Sequence, residues 1–143
     1  MAGTTHKLAG SYIGIGSTLP AEELRQLTEQ VATKTMPTGI YRGAKARIHA
    51  SPHTADRLRF WIGWKKPIMI FSVEITDHPA GGSQLKSHID SFRTVQDTVG
   101  GFLPAGKKQL EGWNWYLNFM LNLKAAVRRA DPAANIEIVE AAG

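Results

Sequence analysis

Hydrophobic positions along this chain follow two patterns. Up to residue 93 they alternate or cluster over strand-sized stretches, apart from one short helical stripe, and after residue 110 they crowd at helical spacing. Tyr12–Ser17 (YIGIGS) predicts a short strand with Ile13 and Ile15 on one face. Gly14 and Gly16 leave the other face bare, open to the close approach of a backbone or helix. A helix follows. Ser17 and Thr18 are capping types, Pro20 suits a first turn, and Glu22 and Glu23 complement the positive end of the helix dipole. Leu24, Leu27 and Val31 form its apolar stripe, and TMPTG (Thr35–Gly39) ends it.

Four strands are expected next, over Ala44–Ala50, Arg57–Trp64, Ile68–Thr76 and Leu85–Arg93. The connections carry Pro, Asp, Ser and paired glycines and are short, which favours an antiparallel meander. Along Ile68–Thr76 one face carries Met69, Phe71, Val73 and Ile75. Along Leu85–Arg93 one face carries Leu85, Ser87, Ile89, Ser91 and Arg93, with Lys86, His88, Asp90 and Phe92 opposite. The small serines leave room on the apolar side, for a bulky helix residue or for a cavity. Thr94–Gly106, with Gly100-Gly101 and Pro104, reads as an apolar loop lying over the core. Asn135–Val139 adds a short final strand.

The second pattern is the run Leu110–Arg129, a long helix with more apolar surface than a surface helix carries, stopped by Asp131-Pro132. On a helical wheel Glu111, Asn114, Asn118, Asn122 and Arg129 make a polar stripe. Leu110, Trp113, Leu117, Met120 and Leu121 are expected to meet the sheet, with Tyr116, Leu123 and Val127 beside them. Trp115 and Phe119 fall beyond that face. Their cover is the first helix, the 94–106 loop, a second subunit or a ligand.

Composition narrows the picture modestly. The chain's 143 residues suit one domain, here residues 1–143, with 1–7 as a flexible leader. It contains no cysteine, which excludes disulfides, thiolate nucleophiles and cysteine metal sites and fits a cytoplasmic location. No apolar run is long enough for a membrane span, and no signal-peptide core is seen. The net charge of +5 points toward anionic partners, but the lysines and arginines are scattered. Nucleic-acid binding is therefore not expected.

Candidate chemistry is sparse. His6, His49, His53, His78 and His88 show no metal-ligand spacing, so neither metal nor cofactor is expected. Gly14 and Gly16 form a lone GIG without the rest of a dinucleotide fingerprint. His88 and Asp90 alternate on one strand face, and with Glu74 they are the only basis for an enzyme. A solvated sheet face has the same pattern. Trp61 and Trp64 alternate to opposite faces beside Lys65-Lys66, so they form a single stacking platform only if the strand is bulged.

The stretches GIGSTLPAEELRQL (14–27) and FSVEITDHPAGGSQLKSHI (71–89), with the long helix, resemble the START/Bet v1-like superfamily, the helix-grip fold. The resemblance spans residues 10–130. The chain departs from that pattern in having one helix between its first two strands and in the long segment before the last helix. A TBP-like half-unit explains the same order. Either implies an α+β fold, a curved antiparallel sheet packed by a short N-terminal and a long C-terminal helix. The helix-grip resemblance implies apolar ligands held between sheet and helix, or partner proteins, and no catalytic residues.

The leading expectation is a binding domain for a small apolar or amphipathic ligand between sheet and long helix, lined by Phe71, Ile89, Phe102, Trp113, Tyr116 and Met120. The alternative is a protein-interaction or homodimer module that uses Trp115 and Phe119.

Overall fold

The protein is described here by a computed structural model, which covers residues 7–37, 44–54, 56–99 and 103–141, with the backbone alone for residue 7 and residues 95–99 and 103–109. A 3₁₀ turn at Lys7–Gly10 leads into β1 (Tyr12–Ser17) and α1 (Ala21–Lys34). Then come β2 (Arg47–Ala50), β3 (Arg57–Gly63), β4 (Pro67–Asp77), β5 (Ser83–Phe92), β6 (Thr94–Val99) and β7 (Leu103–Leu110). The long helix α2 (Trp113–Ala130) and β8 (Asn135–Val139) finish the described chain. The fold is α+β, as the pattern predicts.

Six strands form one antiparallel sheet in the order β2-β3-β4-β5-β1-β8. β2 and β8 are its edges, so it does not close into a barrel, and a long helix laid across one face is consistent with a helix-grip-like arrangement. The meander expected from the short turns is the run β2 to β5. The 94–106 segment differs from the loop expected there. β6 and β7 form a separate two-stranded antiparallel ribbon. Pro104 lies within β7, opposite Thr98, and each ribbon strand has a single neighbour, so a missing N–H is tolerated.

Alternation places Ile13, Ile15, Leu58, Phe60, Ile62, Met69, Phe71, Val73, Ile75 and Leu85 on the helix-covered face, all buried. α2 lies over the middle of this face, where Phe71 packs against Phe119 at 4.9 Å and against Tyr116 at 5.1 Å between ring centroids. Phe60 stacks on Phe71 at 5.3 Å. The buried arc of α2 is Trp115, Tyr116, Phe119, Met120, Leu123 and Val127. This corrects the wheel: Phe119 faces the sheet, whereas Leu121 is 48% exposed and Trp113 and Leu117 are half-buried. α2 is apolar nearly all round, so apolar positions alone do not fix its centre. The asparagine stripe does, because Asn118 donates to the Met36 carbonyl (3.1 Å) and Asn122 reaches the Thr35 hydroxyl (3.5 Å) at the end of α1.

The room beside Ser87 is filled by Tyr116. Its hydroxyl lies 2.7 Å from Ser87 Oγ and donates to the Ser11 carbonyl at 3.0 Å. The single phenolic proton is thereby used, so Ser87 donates to Tyr116 while accepting from the Ile13 N–H at 3.0 Å. Burial pushes the Tyr116 phenol well above its ordinary range, so it stays neutral. The network ties α2 to β5 and to the start of β1.

A second junction holds the helix ends. Asp131, which caps α2, accepts from Thr18 N–H (2.9 Å), Ser17 Oγ (2.8 Å) and Thr18 Oγ1 (3.1 Å) through one oxygen and from Ala133 N–H (3.2 Å) through the other. These bonds, led by that from the Thr18 backbone, hold its carboxyl below the usual range. Asp77, at the end of β4, accepts from the Ala21 N–H at the start of α1 (3.3 Å). The β4–β5 turn closes against the same junction. Gly82 has φ 79°, and a Cβ there would collide with the Ser17 carbonyl oxygen.

Candidate functional site

No described helix covers the opposite face of the sheet. Register lines its outward side chains into rows. One row runs Arg57, Glu74, Lys86, Gly14, Glu137 across β3, β4, β5, β1 and β8. The next runs Thr76, Gln84, Gly16, Asn135. Two glycines therefore stand at outward positions of an interior strand, flanked on both sides by polar and charged residues. The result is a trough of about 570 Å³ whose floor is the β1 backbone. Glu74, Lys86 and Glu137 line its sides, with Tyr12 at one end.

The walls are partly fixed. Arg57 and Glu74 form an ion pair, and the hydrogen bond that Arg57 donates to Glu74 raises the Arg57 pKa further. The Lys86 ammonium lies 4.4 Å from the centroid of the Tyr12 ring. The floor is not filled from elsewhere: a Cβ at Gly16 would meet nothing within 4 Å, and one at Gly14 would make only ordinary contacts with Tyr12 and Glu137.

The expected site residues fall elsewhere. Phe71, Tyr116 and Met120 are fully buried in the core under α2, and Ile89 and Trp113 are half-buried against it. Phe102 lies outside the described residues. Trp115 and Phe119, expected to lie beyond the sheet-facing surface, are buried by the chain itself. Trp115 donates its indole N–H to the Ala46 carbonyl at 3.0 Å, and Phe119 sits among Phe60, Phe71 and Tyr116.

Glu74, His88 and Asp90 share the open face but have separate surroundings. Glu74 pairs with Arg57 and lines the trough, whereas His88 lines a smaller depression beside Gly10 and Tyr12. Asp90 accepts from Ser72 Oγ at 3.2 Å. Among the described residues no group of three His, Asp or Glu side chains is placed to hold a metal ion, and no described helix is long and apolar enough to cross a membrane. The residue signal for the trough was the alternate pair Gly14 and Gly16, which reads equally well as a seat for a helix; the register decides, by putting both glycines on the uncovered side. Comparison of the chain with protein-family models, curated proteins and solved structures finds no match.

Proposed function

We propose that this domain is a binding module that seats a small amphipathic ligand in the trough on the open face of the sheet. The observation that carries this reading is the floor, where two outward glycines leave main chain bare between charged walls. The volume, about 570 Å³, lies within the ~300–1,000 Å³ typical of small-molecule sites. The Tyr12 ring offers an apolar contact, and Lys86, Glu137 and Asn135 offer polar ones. The helix-grip resemblance implies a seat under the long helix instead, but a ligand there would have to displace the Phe60, Phe71, Tyr116 and Phe119 rings, which already touch.

Native mass spectrometry of the freshly purified protein, compared with its denatured mass, tests the proposal when run beside Gly16→Val. A Cβ at this position meets nothing within 4 Å, so the valine side chain would project into the trough and obstruct its floor. Extra mass on the native protein that disappears in the variant is the expected result. Extra mass retained by Gly16→Val would place the ligand outside the trough and overturn the reading. A clean dimer with no added mass would assign the exposed surface to a second copy of the chain.

A further inference from the structure

A different surface, at the turn between β3 and β4, combines an exposed indole with clustered cations. Trp64 is 54% exposed in that turn. The Lys65 ammonium lies 4.8 Å from the centroid of its ring, and that of Lys45, from the segment before β2, lies 4.6 Å away. Lys66 follows, exposed. The ion pairs found among the described residues use other groups and leave these three lysines out. A second exposed apolar side chain, Met36, belongs to the same end of the molecule. Its carbonyl is held by Asn118, while Trp115, three residues earlier on α2, holds the carbonyl of Ala46 next to Lys45.

We infer that the Trp64 turn is a docking tip for an anionic lipid surface, the occupant being the phospholipid headgroup layer of a membrane. An indole is the side chain that settles at headgroup level, with its ring among the upper acyl carbons and its N–H in the wet layer. Lysines beside it keep their ammonium groups at the level of the phosphates while their stems follow the ring inward. Anionic leaflets attract such a cluster, and the net charge of +5 acts in the same direction. A single-stranded nucleic acid fits less well. It needs successive open rings to stack on. Trp61, the other indole of this hairpin, is stacked on His49 at 4.0 Å, and the Trp64 ring already carries two ammonium groups. Attachment is peripheral, by one turn, and does not involve the trough.

Flotation of the full chain with phosphatidylcholine vesicles, with and without about 30% phosphatidylserine, tests the inference. The protein should float with the anionic vesicles only, less so as salt rises. Each lysine facing the leaflet contributes about fivefold to partitioning, so Lys65→Gln with Lys66→Gln should lose roughly twentyfold or more. Trp64→Ala, at unchanged charge, should lose several-fold. Trp64 is exposed, so circular dichroism of that variant should match the parent. Equal or absent binding to both vesicle types overturns the inference. So does anionic binding untouched by either variant. Binding of a single-stranded oligonucleotide that is lost in Trp64→Ala, without vesicle binding, also overturns it and reassigns the patch to nucleic acid.

Discussion

The two faces of the six-stranded sheet are made by the same strands, in alternate positions, and they differ in almost every physical respect. On the covered face most positions hold a large apolar side chain packed into the core, and the buried hydroxyls there, of Ser83, Ser87 and Tyr116, are hydrogen-bonded. On the open face the positions carry Arg57, Glu74, Lys86 and Glu137 around two glycines. Stability is therefore concentrated on one side and exposed chemistry on the other. A substitution should report which side it touches by whether it moves unfolding or binding.

The largest effect is expected from Phe119→Ala. Phe119 is fully buried against Phe60, Phe71 and Tyr116, and truncation should cost about 3–5 kcal/mol in urea unfolding. A near-neutral result would mean that the ring serves something other than the core. Tyr116→Phe keeps the ring and removes the hydroxyl, leaving the Ser11 carbonyl and the Ser87 hydroxyl short of a partner. A loss of about 1–3 kcal/mol should appear in the same assay.

Asp131 sharpens the comparison through pH. Its folded pKa lies below the unfolded value of about 3.9, so its contribution is complete above that pH and is lost as pH falls through the folded value. Asp131→Asn should be less stable than the parent near neutrality, and the gap should narrow below about pH 4. A gap that is constant with pH would remove the carboxylate from the account. At the small end, Gly16→Val on the open face should leave unfolding within about 0.5 kcal/mol, or raise stability slightly, while obstructing the trough floor. A large destabilisation there would show that the open face also carries the fold.

Much of the covered face was legible in the pattern. Met69, Phe71, Val73 and Ile75 share the buried side of β4, as their alternation requires, and Leu85 and Ser87 share that of β5. Alternation failed beyond Ile89 for a local reason. The register between β4 and β5 shifts at Ile70/Phe71, so that Ile70 faces Ser91 while Phe71 faces Ile89. One residue of β5, Asp90, is extra. The bulge moves Phe92 to the core side and Ser91 to the open side, and a single extra residue leaves no mark in composition. The β6–β7 ribbon escaped because Pro104 is a strand breaker in a sheet interior but not in a two-stranded ribbon. The trough needed knowledge of strand order. Gly14 and Gly16 are plain in the sequence, but that β8 returns to lie beside them, some 120 residues later, is a tertiary fact.

That return also constrains how the chain reaches this state. β1 comes first in chain order among the described strands and lies between β5 and β8, and the N–H of Ala141 closes on Ser11 Oγ across 130 residues. On a ribosome, β1 would wait with one edge bare until β8 emerged, and loop closure of that length delays this pairing. Docking of β8 then completes the six-stranded sheet. A chain stalled before residue 135 would present β1 as an open edge, ready to accept a strand from a neighbouring molecule.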